Sequence, residues 1–168
     1  MQPIIKTVPE FFVAGFTSRT RNQDEINPLT AKISPTWARF FASGITTNQA
    51  LINSANPAAY GVYSDYESDV NGLYTFTAGV SIDPTQTLPP DLTLTKITGG
   101  NYLVFTAKGL MPLVLVQTWT YIWSYFSAHP ELKRLYQADF EFYPQPGEVE
   151  IFIGIADHDQ KTDGLDPK

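Results

Sequence analysis

No cysteine occurs among the 168 residues, and that absence excludes disulfides, thiolate metal sites and cysteine nucleophiles together. Histidine is nearly absent as well. His129 and His158 stand far apart, so neither a Ser-His-Asp arrangement nor a zinc-ligand spacing can be read from the chain. Eleven Lys and Arg, scattered singly, face seventeen Asp and Glu, for a formal net charge of −6. Duplex binding needs clustered cations that displace counterions, so direct DNA binding is not expected. Long apolar runs are also missing. The longest, Leu110 to Val116, is broken by Pro112 and falls far short of a membrane span. The first residues, Met1-Gln-Pro-Ile-Ile-Lys6, lack the basic start and apolar run of a signal peptide. Gly99-Gly100 has no Lys or helix start behind it to make a phosphate loop. The expectation is a cytoplasmic protein with no metal and no cofactor.

Apolar and aromatic residues are plentiful, 43% and 14% of the chain, enough for one packed domain. Their order repeats. Each half runs apolar strand, Trp-centred helix, aromatic strand, then a further strand. The helical anchors are Trp37-Ala-Arg-Phe40-Phe41 and Trp119-Thr-Tyr-Ile122-Trp123. The aromatic strands are Tyr60 to Tyr66 and Tyr136 to Tyr143, and the last strands are Leu73 to Ile82 and Glu148 to Ile155. Two copies of one unit tend to pack about a pseudo-twofold axis, with a ligand cleft where they meet. The period is too long for a solenoid. The reading is a single domain over 1–156, with halves at about 1–83 and 91–156 and a polar tail at 157–168.

Local signals fill in the units. Pro3 to Thr20 alternates as one strand. Ser34-Pro35 predicts an N-cap and first helical turn, with Trp37, Phe40 and Phe41 as one apolar stripe and Gly44 as the stop. Asn71-Gly72 predicts a hairpin between its flanking strands. In the second of them Tyr74, Phe76, Ala78, Val80 and Ile82 share a face. Leu92 to Ile97, a Gly99-Gly100 turn and Tyr102 to Ala107 open the second half. A helix from about Leu113 to Ala128 is expected to bury Val116, Trp119, Ile122, Trp123 and Phe126, with His129-Pro130 ending it.

Among candidate functional residues Glu141 comes first. In Asp139-Phe-Glu-Phe-Tyr143, alternation puts Phe140 and Phe142 on one face and Asp139, Glu141 and Tyr143 on the other. That second face is either solvated, as on many antiparallel sheets, or a dry aromatic cleft. In a cleft the carboxyl would titrate high and favour a cationic guest. Tyr60, Tyr63, Tyr66, Phe105, Tyr121, Trp123 and Tyr143 are the rings that could wall it. Trp37, Trp119, Phe40, Phe76 and Phe126 read as ordinary core.

Stretches from Phe11-Phe-Val-Ala-Gly15 and Ile33-Ser-Pro-Thr-Trp37 through Gly99-Gly-Asn-Tyr102 and Asp139-Phe-Glu-Phe-Tyr143 to Val149-Glu-Ile-Phe-Ile-Gly154 follow one another in order. In that order the chain resembles the bacterial effector-binding domain family, also called the gyrase-inhibitor-like small-molecule-binding domain. The resemblance implies an α+β fold: a tandem pseudo-twofold repeat of strand-helix-strand-strand units forming an antiparallel sheet, with helices on one face and a ligand groove on the other. It implies that Glu141 faces that groove. The ligand set expected is Glu141, Tyr143, Tyr63, Tyr60, Phe105 and Trp123, for a cationic, amphipathic, drug-like small molecule that is sequestered or sensed without catalysis. Family members fused to a DNA-binding helix-turn-helix have room for one, whereas here the matching stretches begin almost at residue 1, which suits a stand-alone binder. The resemblance carries two alternatives, a protein inhibitor of the gyrase-inhibitor type and a hydrolase of strained cyclopropane compounds using Glu141 as base. Sheet edges leave pairing with a second copy, a homodimer, open.

Overall fold

The structure, a computed structural model, describes residues 2–48, 51–52 and 57–156; the tail expected at 157–168 lies outside them. In chain order the elements are β1 (Ile4–Val8), β2 (Phe11–Thr20), α1 (Asn22–Glu25), α2 (Ile33–Ala42), β3 (Ala59–Ser64), β4 (Tyr74–Ile82), β5 (Thr93–Ile97), β6 (Gly100–Lys108), α3 (Leu113–Ala128), β7 (Ala138–Tyr143) and β8 (Glu148–Gly154). Eight strands make one antiparallel sheet in the order β1-β6-β8-β7-β3-β4-β2-β5. Exchanging each strand of the first half for its counterpart in the second reverses that order and leaves it unchanged. The duplication is therefore a pseudo-twofold, with its axis between β3 and β7. Each half also lends its first strand to the other: β1 pairs with β6, and β5 with β2.

That exchange bends the sheet. β1 and β2 lie near opposite ends of the strand order yet are joined only by Pro9-Glu10, and β5 and β6 only by Thr98-Gly99. Two residues span roughly 7 Å at most, so the ends must curl together. The two links touch where they cross: a Cβ on Gly99 would stand 2.8 Å from the Glu10 nitrogen. The single strand expected over residues 3–20 is thus two strands. Pro9 has no N–H for a ladder, and the chain turns there to reach the far end of the sheet. Inside the curl, Val13, Val62, Ile97, Tyr102, Val104, Phe140 and Phe152 form one cluster drawn from both ends.

The helices cover the other face. α2 packs on β2 and β4 of its own half and α3 on β6 of its own, so the axial strands β3 and β7 are left between them. The stripe expected on Tyr74, Phe76, Ala78, Val80 and Ile82 does line the core under α2. α3 spans the residues its pattern predicts, but its buried positions are Thr118 and Ile122. Val116 and Trp123 stay 60% and 43% exposed, because that side of the helix borders open space. α2 starts before Ser34. Its N-cap is Lys32, and Glu25 serves as the cap from across the loop, accepting the Lys32 and Ile33 N–H groups at 2.9 and 3.2 Å.

Candidate functional site

A cavity of about 460 Å³ opens between α2 and α3 over the axial strands. It lies on the helix-bearing face, not on the opposite one. Tyr63 and Tyr74 come from the sheet, Tyr66 from the loop after β3, Ile33 from the start of α2, and Leu115, Trp119 and Trp123 from α3. The spacing of the α3 residues, i, i+4 and i+8, makes one stripe along the helix, whose members Leu115 and Trp119 also pack on the core cluster of β6 and β8.

Alternation along β7 turns Glu141 toward the helices, and Phe140 and Phe142 toward the inside of the curl. Glu141 is fully buried. Across the register it faces Gly61, whose missing side chain leaves the carboxylate its space: a Cβ there would meet Oε2 at 2.7 Å, Trp37 Cζ2 at 3.1 Å and Phe76 Cε2 at 3.2 Å. Three neutral groups donate to the carboxylate. Tyr63 Oη and Trp119 Nε1 reach Oε1 at 2.8 and 2.7 Å, and Tyr143 Oη reaches Oε2 at 2.6 Å. An indole N–H can only donate, so this cradle suits the anion. Burial nonetheless raises the Glu141 pKa, against the pull of the hydrogen bonds from Tyr143, Trp119 and Tyr63. None of the ion pairs among the described residues involves Glu141. When ionised, its charge has hydrogen-bond donors but no basic partner among the described residues. Trp119 and Tyr63 form the cavity wall between that charge and the open space.

Gly61→Ala is expected to push the carboxylate off Tyr143 and cost about 1–3 kcal/mol as an overpacked core. Urea unfolding would measure it, and an unchanged midpoint would mean that Glu141 has room to retreat.

A second buried carboxylate lies two residues away on the same face. Asp139, fully buried, accepts from Arg134 Nη2 at 2.7 Å, Tyr66 Oη at 2.8 Å and the Gly154 N–H at 2.8 Å. Burial works against the charge on Arg134, but Asp139 together with Tyr66 and Tyr136 more than offsets it, so the guanidinium stays protonated. Glu25, Arg134 and the rings line one continuous cavity.

The expected site residues divide. Glu141, Tyr63 and Tyr143 are joined by hydrogen bonds, and Trp123 stands on the wall with its ring centroid 6.4 Å from that of Trp119. Tyr60 is elsewhere: it points into the curl against Phe11, Phe140 and Phe142, because it alternates with Gly61 and Tyr63. Phe105 is core under α3, packed on Tyr121 and Tyr125. Trp119, read from its spacing as core alone, holds the carboxylate. A buried indole N–H needs a partner, and an acid on the facing strand was the available signal. Arg134, in the irregular stretch before β7, gave no periodic signal at all. Among the described residues no group of three His, Asp or Glu could hold a metal, and no helix is long and apolar enough to cross a membrane.

The profile of one protein family, Cass2, integron-associated effector binding protein, matches residues 4–155. An integron cassette protein from the mobile metagenome of Vibrio cholerae shares 36% identity over 92% of this chain and 96% of its own, with a TM-score of 0.77. The transcriptional regulator-like protein YobU of Bacillus subtilis (strain 168) is 28% identical over 84% of this chain and 90% of its own length. SAV2435, whose structure is of a complex with tetraphenylphosphonium, shares the fold at a TM-score of 0.70 and 18% identity, over 93% of this chain and 94% of its own.

Proposed function

We propose, since this chain belongs to the family of integron-associated effector binding proteins, that it captures an amphipathic cation in the cavity between α2 and α3 and performs no chemistry on it. The observation that carries this reading is Glu141: a fully buried carboxylate held by three neutral donors, with no basic partner among the described residues. A cation entering the cavity supplies the missing charge across the Trp119 and Tyr63 rings. Their faces add roughly 0.5–2 kcal/mol of cation–π attraction. The cavity, about 460 Å³, falls in the range usual for drug-sized ligands. The cation carried by SAV2435 is of this chemical kind. The proposed ligand set is Glu141, Tyr63, Tyr143, Trp123 and Trp119, without Tyr60 and Phe105. On this reading the partner is a small molecule met in the cytoplasm, and DNA is not contacted.

Thermal melts with tetraphenylphosphonium and with neutral triphenylphosphine oxide test it. A ligand at a hundred times its Kd stabilises by about 2.7 kcal/mol, so the phosphonium should raise Tm by several degrees and the neutral oxide should not. Equal shifts would remove charge from the account.

Acidity gives a second check. Because folding raises the Glu141 pKa, the folded state binds that proton more tightly than the unfolded chain does. The acid form therefore contributes stability to the free protein below the ordinary carboxylate range, and this is lost as pH rises through the raised value. Cation affinity runs the other way: it should fall as pH drops through the same interval, and binding within it should release a proton. Calorimetry in buffers of different ionisation enthalpy reads that proton. A pH-independent affinity down to the ordinary carboxylate range would contradict the assignment.

A further inference from the structure

We propose that the cavity contains a second anchor of opposite sign, Arg134, and that its preferred ligands are zwitterions: aromatic cations that also carry a carboxylate. The inference rests on the cation-binding reading for one pole of the ligand and adds the other pole.

Arg134 lines the cavity beside Tyr66, with its side chain only 7% exposed. Its Nη2 donates to Asp139. Asp139 needs no more than it has, since Tyr66 and the Gly154 N–H also serve it. Arg134 is the unsatisfied member. Its Nε–H is buried and has no hydrogen-bond partner among the described residues, although a guanidinium carries five donors in a rigid fork shaped for a carboxylate. Buried donors without acceptors are rare enough to call for a missing partner.

The arginine is also held in place from every side. An isolated bridge ties its backbone to Ile155, and the neighbouring Leu135 N–H and Lys133 carbonyl bond to Gly154 and Ala156. The guanidinium lies 4.5 Å from the ring centroid of Tyr136 and 5.7 Å from that of Phe126. Tyr136 sits at φ +50°, a left-handed backbone that a bulky residue rarely adopts and that clusters at ligand clamps. For a ligand that is only a cation, a guanidinium in the wall is a repulsive neighbour. For a zwitterion it discriminates in favour, because the ligand carboxylate pairs with the guanidinium charge in the cavity wall.

The test is a matched pair: rhodamine 6G, a cationic ester, and its free acid, a zwitterion with the same rings, titrated by fluorescence anisotropy near neutral pH. The acid should bind about tenfold tighter or better. Removing both buried charges together, Arg134→Gln with Asp139→Asn, should abolish that preference, read as the ratio of acid to ester affinity. If the double variant does not fold, Arg134→Lys keeps the charge, loses the fork and should shrink the preference several-fold. An acid no tighter than the ester in the wild-type protein overturns the second anchor and leaves cation capture standing. Failure of both dyes and of tetraphenylphosphonium to bind overturns both.

Discussion

Glu141→Gln is expected to weaken tetraphenylphosphonium binding by about 30- to 100-fold while moving triphenylphosphine oxide by less than about threefold. Two unit charges about 6 Å apart interact by roughly 2–3 kcal/mol at the effective dielectric usual near protein sites, and about 1.4 kcal/mol is a factor of ten. The substitution keeps the volume of the side chain. Its amide oxygen can still accept from Trp119, and its NH₂ can donate to a tyrosine hydroxyl, so the cavity should retain its shape. What disappears is the charge. Equal losses for cation and neutral probe would show that Glu141 maintains packing and not potential. The variant should also lose the pH dependence of cation affinity, because the titrating group is gone.

Asp139→Ala should be the most damaging single change to stability, about 3–5 kcal/mol, since it strands the buried Arg134 guanidinium. In a chain of this size that lowers Tm by on the order of 10 °C. The loss is structural in origin. Asp139 ties together the loop carrying Arg134, the loop after β3 through Tyr66, and β8 through the Gly154 N–H. Replacing the charges together, Arg134→Gln with Asp139→Asn, should cost much less than Asp139→Ala. Chemical denaturation of the three proteins measures the difference. Similar destabilisation by the single and double variants would mean that the pair contributes through shape and not through charge.

Much of the fold could be read from spacing because each signal was local. The β3–β4 and β7–β8 hairpins, the extent of α3, the Gly44 stop and the shared face of Tyr74, Phe76, Ala78, Val80 and Ile82 all follow from periods of 2 or 3.6 and from turn residues. The twofold repeat was visible because two copies of one pattern stood in one chain. Alternation likewise put Asp139, Glu141 and Tyr143 on a common face. It could not say which face the helices would take, and the cavity opens between them and not on the face away from them. Tyr60 and Phe105 show the same limit. Tyr60 leaves β3 toward the inside of the curl, whereas Phe105 leaves β6, far from the axis, toward α3 and is covered by it; neither placement follows from local spacing.

Composition and period determined the order of strands and helices, the duplication, and the presence of an acid between two phenylalanines on one strand, because these depend on residues close in sequence. The class of fold came from the ordered resemblance to a family. Tertiary structure decided the rest. Glu141 is satisfied by residues 78, 22 and 2 positions away, the room it occupies is set by a glycine on the neighbouring strand, and Arg134 reaches the cavity from an irregular segment. Such contacts arise when the sheet closes and the helices settle on its outer strands, and no local pattern encodes where they will fall.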